Sequence, residues 1–322
     1  MSEASVNRND DPAIEVSVVV PVYGCRESLE ILHQRTSAVM RSIAVSYEIV
    51  LIDDCDEAGS WEVISELARA DVAVRAYRLS RNFGQHAAIT AGLEKSRGRW
   101  AVVMDCDLQD PPENIRDLYL KAREGYDVVL ARRKRKQHSA FRTLAASLYF
   151  RLLNAAAKTH LDGEFGSFSI ISRKVIDSFL RFRDRDRHYL FILHWLGFRT
   201  TAIEYTHAPR YAGRSSYSIA ALVRHAVDGV FFQTTDLLRW IVYGGFWISL
   251  AGFLLALYYL YVYITRSILP GFTSLAVLIL LIGGFILMST GVAALYIGKV
   301  FDQVKGRPLY VIDKAIVDGR AQ

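Results

Sequence analysis

The stretch Trp100-Ala-Val-Val-Met-Asp-Cys-Asp-Leu-Gln-Asp-Pro-Pro-Glu113 decides the fold of this chain. Five apolar residues lead into two carboxylates, Asp105 and Asp107, and a pair of prolines then stiffens the turn. An apolar run this short is typical of a strand that is covered on both faces of a sheet. The sequence therefore predicts a buried strand whose carboxyl end carries Asp105 and Asp107.

Similar apolar runs lie on either side of this stretch and alternate with helical segments. The predicted strands are Val16–Val22, Glu48–Asp53, Val74–Leu79, Trp100–Asp105, Asp127–Ala131 and Thr200–Tyr205. The predicted helices cover about 27–42, 60–69 and 85–96. This alternation predicts right-handed βαβ units and a mainly parallel, Rossmann-like α/β sheet. The chain has no GxGxxG or Walker loop, which counts against a dinucleotide or P-loop site.

Ligands of such sheets bind beyond the carboxyl ends of the strands, and these ends are polar or contain glycine here. They read Pro21-Val-Tyr-Gly24, Asp53-Asp54, Leu79-Ser-Arg-Asn82 and Asp105-Cys-Asp107. Two carboxylates as close as Asp105 and Asp107 repel each other unless a cation lies between them, and Mg²⁺ or Mn²⁺ prefers oxygen ligands. The alternative is a helix-capping role, which acidic pairs of this kind commonly have.

The C-terminal third holds two long stretches without charge, Trp240–Thr265 and Ser267–Gly298. Each exceeds the roughly 20 apolar residues that span a bilayer, and the tight connection at Arg266 and Pro270 predicts a helical hairpin. Basic residues flank both outer ends, so the positive-inside rule places the N-terminal region in the cytoplasm. A pair of buried core helices is the alternative interpretation.

Composition excludes several classes of protein. The chain has 322 residues, an apolar share of 52% and a net charge of +6. These values exclude a disordered chain, a disulfide scaffold and a collagen-like repeat. Three cysteines, Cys25, Cys55 and Cys106, follow strand ends without metal-like spacing. This pattern is typical of a protein in a reducing cytoplasm. It favours the interpretation that the cysteines are small residues filling tight turns over the interpretation that they have a redox role.

Several motifs occur in a familiar order along residues 16–310. They are Val19-Val-Pro-Val-Tyr23, Asp53-Asp54, Arg81-Asn-Phe-Gly84 with Ala91-Gly92, Met104-Asp-Cys-Asp-Leu-Gln-Asp-Pro-Pro-Glu113, Gly125-Tyr-Asp-Val-Val129, Ala131-Arg-Arg133, Ser172-Arg173 and Gly306-Arg-Pro-Leu309. On these residues the chain resembles family 2 glycosyltransferases of GT-A fold. Within them it is similar to polyprenyl-phosphate glycosyltransferases with a two-helix membrane anchor.

The resemblance implies a role for particular residues. Pro21, Tyr23 and Asp54, with Asp53 beside them, would shape the base and ribose pocket of a nucleotide-sugar donor. Catalytic Asp105 and Asp107, with Gln109, would hold Mg²⁺ or Mn²⁺ on the donor diphosphate. Arg133 and Arg187 would contact phosphates, Arg187 as a catalytic residue, and Arg210, in a loop that matches the family, would be among the donor-binding residues. The alternative for Arg187 is a surface residue of the run Arg181–Arg187.

The chain departs from the family pattern at Gly24-Cys-Arg26, Asp54-Cys-Asp56, Gly166-Ser-Phe-Ser169 and Gly213-Arg-Ser-Ser-Tyr217. The third departure loses an acid and a base together. A phosphate monoester is largely dianionic near pH 7, so it attacks without a general base and this loss is no obstacle. The basic tract Arg132–Lys136 suits anionic partners or is a solvated face.

The expected function is transfer of one sugar from a nucleotide-diphosphate sugar to a polyprenyl (undecaprenyl) phosphate at the cytoplasmic membrane face. One alternative is transfer to a hydroxyl lipid, which would need Glu164, Asp162 or Asp186 as base. Another is a non-catalytic membrane subunit. Nucleic acid is not an expected partner.

The expected organisation has four parts. Residues 1–13 form a flexible N-terminus, and 14–238 form the cytoplasmic GT-A domain with interfacial helices at 141–153 and 219–238. Two transmembrane helices occupy 239–299, and 300–322 form a cytoplasmic tail. The tail strand Pro308–Asp313 lacks an obvious partner in its own tail and should be covered. The resemblance to membrane-anchored enzymes implies that it pairs with a neighbouring subunit in a homo-oligomer, expected to be a tetramer.

Overall fold

The structure is a computed structural model that describes residues 14–134, 165–182, 184–185, 187–209, 211, 236–266 and 272–322. The described residues fall into two compact units. The first contains the N-terminal region through residue 211 together with the tail from Arg307, and the second contains two long C-terminal helices. The predicted interfacial helices at 141–153 and 219–235 lie outside the described residues.

The first unit is built around one mixed sheet. Its strands are β1 Val16–Val22, β2 Tyr47–Asp53, β3 Val74–Leu79, β4 Trp100–Val103, β5 Val128–Arg133, β6 Phe165–Ser172, β7 Thr200–Tyr205, β8 Ile312–Val317 and β9 Arg320–Ala321. Its helices are α1 Leu29–Ser42, α2 Ser60–Ala70, α3 Gln85–Lys95, α4 Ile115–Arg123, α5 Arg173–Leu180 and α6 Tyr189–Leu196. Short 3₁₀ turns at Arg26–Ser28 and Pro112–Asn114 precede α1 and α4.

The strand order is β7-β5-β6-β4-β1-β2-β3-β8-β9. Strands β3, β2, β1 and β4 are parallel neighbours, and β6 lies antiparallel between β4 and β5. The predicted α/β class and mainly parallel centre are therefore confirmed. The prediction missed β6, because Gly166, Ser167 and Ser169 among its first five residues interrupt the continuous apolar run that the central strands have.

The core lies on both faces of the sheet. Val18, Val20 and Val22 pack in one cluster with α1, α2 and α4, whereas Val19 packs in the other with α3 and α5. All seven residues of β1 are buried, as its apolar run predicts. Helix α3 lies so close to the sheet that a Cβ at Gly92 would approach Val19 Cγ1 to 2.2 Å. Only glycine fits there, and this close contact fixes the first turn of α3 above the carboxyl edge.

The tail strand corrects one prediction. Strand β8 covers Ile312–Val317, four residues beyond the predicted start, and pairs antiparallel with β3 of the same chain. The partner is an edge strand more than two hundred residues away, which the sequence of the tail could not reveal. The expectation that a neighbouring subunit must cover this strand was therefore wrong, and the homo-oligomer stays a prediction without that support.

The second unit contains α7 Asp236–Arg266 and α8 Phe272–Val304, which occupy the region of the predicted hairpin. Phe285 of α8 lies against Gly244 and Gly245 of α7, with its ring 3.2 Å from the position of a Gly245 Cβ. Among the described residues, Ile282–Val304 is long and apolar enough to cross a membrane, and Ile241–Leu255 is a shorter apolar segment. A double crossing stays a prediction.

Candidate active site

The acidic turn after β4 is the centre of the candidate site. Asp105 Oδ1 accepts hydrogen bonds from Gln85 Nε2 and from Ser167 Oγ, both at 2.7 Å. Asp107 Oδ1 accepts one from the Gln109 amide at 3.1 Å. Leu108 between them has φ +60°, a left-handed conformation that is strained for a residue with a side chain, and its side chain is buried. The buried leucine thus anchors a turn that presents Asp105, Asp107 and Gln109 at the sheet edge.

The charges of this turn are close enough to affect each other. Burial and the neighbouring charges of Asp110 and Asp107 together raise the pKa of Asp105 to about 6, against the hydrogen bond from Ser167 and the charge of Arg133, which lower it. A divalent cation would relieve this repulsion, and the donor set of carboxylate oxygens fits Mg²⁺ or Mn²⁺. Among the described residues no group of three His, Cys, Asp or Glu side chains surrounds a metal position. Part of the coordination shell would therefore come from a ligand or from water.

A network of buried polar side chains contacts Asp110 at the end of the acidic turn. Asp110 is fully buried, and its Oδ1 accepts the hydroxyl of Tyr205. Arg133 Nη2 lies 3.8 Å and His207 Nδ1 3.5 Å from the same oxygen, and Arg133 Nε donates to Tyr205 Oη at 3.2 Å. Burial and the charge of Asp110 raise the pKa of Tyr205, so its hydroxyl remains a donor. The network fixes the end of the DLQD motif to β5 and β7.

The segment that follows β7 returns to the acidic turn. The amide of Ala208 donates to Gln109 O at 2.9 Å, and the amide of Tyr211 donates to Asp107 O at 3.3 Å. These bonds place Ala208 and Tyr211 beside the turn. The Arg210 side chain itself lies outside the described residues, as do Asp162, Glu164 and Asp186.

The two aspartates at the end of β2, Asp53 and Asp54, both contact other groups of the protein. Asp54 Oδ1 accepts the amide of Phe83 at 2.7 Å, and its Oδ2 accepts the amide of Gly84 at 2.9 Å. Asp53 is fully buried with Arg78 Nε 3.2 Å from its Oδ2, and burial raises its pKa to about 6. Both were predicted to shape a donor pocket, and the structure gives them contacts to backbone and to Arg78 instead of an open face.

Asp54 is linked to Asp105 through the RNFG loop. Asp54 holds the amides of Phe83 and Gly84, and the next residue, Gln85, donates to Asp105. In this arrangement Asp54 is a positioning residue for the acidic turn. Tyr23 is 52% exposed at the end of β1, and Pro21 is buried within that strand.

Arg187 lies before α6 and contacts its own loop. Its Nε donates to Asp184 O at 3.2 Å, and its Nη2 donates to Phe182 O. Burial lowers its pKa, opposed by the charge of Asp184 and by Tyr310 and Glu94. Tyr310 donates to Glu94, so the tail strand begins close to this arginine.

Two of the three cysteines form a disulfide. Cys25 and Cys106 are bridged, with their Cα atoms 6.0 Å apart, whereas Cys55 is free. The expectation of three reduced, space-filling cysteines was therefore wrong. The reason is the strand order, because β1 and β4 are hydrogen-bonded neighbours and the turns after them meet. Ser28 Oγ donates to the carbonyls of both cysteines, at 2.8 Å for Cys25 and 2.6 Å for Cys106.

Sequence reasoning missed several residues that shape the site. They are Gln85, Ser167, Tyr205 and His207 around the acidic turn, and Asp56, which accepts the amide of Gly24 at 2.7 Å. Gln85 follows directly on the RNFG motif, which was the available signal for it. The others depend on strand neighbours that are distant in sequence.

The strand order and the acidic turn at the carboxyl edge define a GT-A glycosyltransferase domain. The chain belongs to glycosyltransferase family 2, since the family model "Glycosyl transferase family 2" matches residues 17–180.

Full-length relatives agree with this assignment. "Uncharacterized glycosyltransferase YkcC" of Bacillus subtilis (strain 168) is 36% identical over 94% of this chain and 94% of its own length. "Undecaprenyl-phosphate 4-deoxy-4-formamido-L-arabinose transferase" of Proteus mirabilis (strain HI4320) is 35% identical over 94% of each chain. A solved structure of glucosyl-3-phosphoglycerate synthase from Mycobacterium tuberculosis, in complex with Mn²⁺, UDP and glucosyl-3-phosphoglycerate, is 15% identical, covers 68% of this chain and 80% of its own, and has a TM-score of 0.47.

Proposed function

We propose that this glycosyltransferase moves one sugar, with inversion, from a nucleoside-diphosphate sugar to a polyprenyl phosphate. The observation that carries the proposal is the Asp105–Asp107 turn, a strained and anchored acidic turn at the ligand-binding edge of the sheet. The Proteus mirabilis relative, whose name specifies undecaprenyl phosphate, supports the acceptor class.

Asp105 and Asp107, with Gln109 beside them, would hold the divalent cation. When bound, Mg²⁺ or Mn²⁺ neutralises the charge that develops on the departing diphosphate. Asp105 is fixed for this task by Gln85 and Ser167, and Asp107 by the Gln109 amide. Tyr23 would pack against the nucleobase, and the exposure of half of its surface at the end of β1 supports this role.

The acceptor brings its own nucleophile in this reaction. A phosphate oxygen forms the new bond to the anomeric carbon while the bond from that carbon to the diphosphate oxygen breaks, and the nucleoside diphosphate leaves. Asp54 is engaged by two backbone amides and Asp110 is fully buried, so neither is free to take a proton from an alcohol. A phosphate acceptor needs no general base, whereas a hydroxyl lipid would need Glu164, Asp162 or Asp186 to supply one.

Cationic side chains would hold the two anionic substrates together. Arg133 is half-buried within reach of Asp110, and Arg187 donates through Nε and Nη2 to the carbonyls of Asp184 and Phe182. Arg210 belongs to the segment that returns to the acidic turn. We propose these three arginines as the phosphate-binding groups.

We also propose that α7 and α8 anchor the enzyme in the cytoplasmic membrane as a two-span hairpin with the catalytic domain in the cytoplasm. The uncharged stretches and their basic flanks support this topology. A cysteine placed at Ser267 should be labelled from outside intact cells, whereas cysteines at Ser2 or Gln322 should not. The opposite pattern would remove the cytoplasmic donor from the proposal.

The acceptor is tested by comparing polyprenyl phosphate with the matching polyprenol, using one panel of nucleotide sugars and divalent metal. Mass spectrometry of the lipids should show a glycosyl phosphate product from the first and none from the second. Equal rates on both lipids would favour the hydroxyl-lipid alternative. Absence of product from either, with every donor, would favour a non-catalytic subunit.

A further inference from the structure

A second cleft lies at the opposite end of β4 from the acidic turn. It has a volume of about 470 Å³ and is lined by Arg99, Trp100, Arg123, Tyr126, Ser172 and Lys174, among others. Trp100 is the first residue of β4 and Ser172, its register partner, is the last residue of β6. We call it the amino-edge cleft. Its volume falls within the range of small-molecule sites.

The amino-edge cleft carries a net positive charge. Arg99, Arg123, Arg173 and Lys174 line it against one carboxylate, Asp127. Lys174 Nζ lies 2.6 Å from Asp127 Oδ1, and Arg173 donates to the carbonyl of Gly98 at 3.0 Å. Arg99 and Arg123 are exposed at the rim. An anionic ligand is favoured by this balance of charge.

Two buried polar atoms of the lining have no hydrogen-bond partner among the described residues. They are the indole Nε1 of Trp100 and the hydroxyl Oγ of Ser172, and both residues are 8% exposed. Leaving a buried donor unpaired costs about 1–3 kcal/mol, so most proteins avoid it. Two such groups in one cleft indicate a ligand that accepts their hydrogen bonds.

The amino end of α5 opens on the same cleft. Ser172 occupies the N-cap position of this helix, yet its side chain makes no capping hydrogen bond. Lys174 follows in the first turn and lines the cleft. Amides at a helix amino end favour negative charge, and phosphate groups commonly bind there.

We propose that the amino-edge cleft binds a phosphorylated small molecule. Its phosphate lies at the amino end of α5, where Ser172 Oγ and Trp100 Nε1 donate to it and Arg99 and Lys174 balance its charge. Its organic part packs against Tyr126 and Ala122. The site is separate from the donor site, since β4 runs from one to the other.

The binding is tested by NMR on the full-length protein in detergent micelles without divalent metal. The indole N–H of Trp100, assigned with Trp100→Phe, reports directly on the cleft. Inorganic phosphate and adenosine 5′-monophosphate are the two probes. Both should shift the Trp100 indole resonance saturably, and the nucleotide should bind more tightly because only it can contact Tyr126. Equal affinities would overturn the assignment of Tyr126 and Ala122 to an organic part.

Variants distinguish specific binding in the amino-edge cleft from nonspecific attraction between the probe and the basic surface. Ser172→Ala should weaken binding about tenfold, the effect of a hydrogen bond to a charged group. Arg99→Gln, at an exposed position, should weaken it as well and serves where Ser172→Ala folds poorly. The control is Arg116→Gln, which removes an exposed cation of α4 outside the cleft. Equal weakening in the control, or no saturable shift with either probe, would overturn the proposal.

The outcome of the phosphate-binding experiment does not depend on whether the enzyme transfers sugar to a polyprenyl phosphate. Sugar transfer by Ser172→Ala should match wild type, since Ser172 lies at the far end of the sheet from the acidic turn. Binding of the phosphate probes should also persist in Asp107→Asn. Loss of the Trp100 shift in Asp107→Asn would show that the probe binds at the donor site instead.

Discussion

Two acidic pairs follow parallel strands of this sheet, and they differ in what they contact. Asp53 and Asp54, after β2, are almost entirely buried and bind Arg78 and the backbone of the RNFG loop. Asp105 and Asp107, after β4, are half-buried and contact short polar side chains and their own turn. In sequence the two pairs look alike. The carboxylates of the second pair are more exposed at the edge of the sheet, and we expect this pair to hold a cation.

The difference comes from what lies beside each turn. The RNFG loop folds over the end of β2 and supplies two amides to Asp54, which satisfies that carboxylate within the protein. Beside β4 the neighbour is β6, which contributes Ser167 to Asp105, and the backbone amide of Gln109 donates to Asp107. One pair therefore supports structure, and the other is expected to support chemistry.

The largest effect should come from Asp107→Asn. The amide removes a negative charge without changing volume, so the fold should persist while transfer falls about a thousandfold or more in the presence of Mg²⁺ or Mn²⁺. Asp105→Asn should be similar or milder. Product formation is measured by lipid mass spectrometry, and thermal unfolding checks the fold.

The matched control for this prediction is Asp117→Asn, an exposed aspartate of α4. Its turnover should equal that of wild type. Near-normal turnover of Asp107→Asn would contradict the assignment of the acidic turn to the metal.

The cysteines offer a further test of the difference between the two acidic pairs, because one cysteine lies in each acidic turn. Cys106 between Asp105 and Asp107 is bridged to Cys25, whereas Cys55 after Asp54 is free. Reduction should lower the free energy of unfolding by about 2–4 kcal/mol, the usual contribution of a native disulfide. Denaturant unfolding with and without dithiothreitol measures this difference.

Two variants serve as controls for the reduction experiment. Cys55→Ser should respond to dithiothreitol as wild type does, and the double variant Cys25→Ser/Cys106→Ser should not respond. A wild-type unfolding midpoint that is insensitive to reductant would show that the bridge adds no stability.

The sequence predicts the central parallel strands well because each is a short apolar run that ends in polar residues. It also predicts the acidic turn, since the order of motifs points to DLQD. It does not predict β6, the partner of β8 or the disulfide, because these depend on which strands become neighbours across long separations in the chain. The contacts of Asp54 could not be predicted for the same reason, since its partners Phe83 and Gly84 reach it only after the loop folds, and its role in a donor pocket stays a prediction.

A smaller effect is expected from Asp54→Asn. The asparagine side chain keeps one acceptor oxygen, so one of the two loop amides at Phe83 and Gly84 loses its partner. The free energy of unfolding should fall by about 1–3 kcal/mol, the cost of an unpaired buried group. Turnover should fall far less than in Asp107→Asn, because Gln85 still reaches Asp105 from a loosened loop. Loss of turnover as large as in Asp107→Asn, without loss of stability, would instead indicate that Asp54 contacts substrate.

The smallest effect concerns how stability depends on pH through Asp53. Burial raises the pKa of this carboxyl from an ordinary value of 3.8 to about 6 in the folded protein, so the folded state holds the proton more tightly than the unfolded state. Its contribution to stability is therefore fully present below pH 3.8 and is lost as pH rises through about 6. Asp53→Asn removes this titration and should flatten the unfolding free energy between these two values. The measurement is denaturant unfolding at closely spaced pH values for wild type, Asp53→Asn and the exposed control Asp117→Asn. If the wild type and Asp53→Asn curves stay parallel across the interval, Asp53 titrates at its ordinary pKa, and its burial beside Arg78 does not raise that pKa.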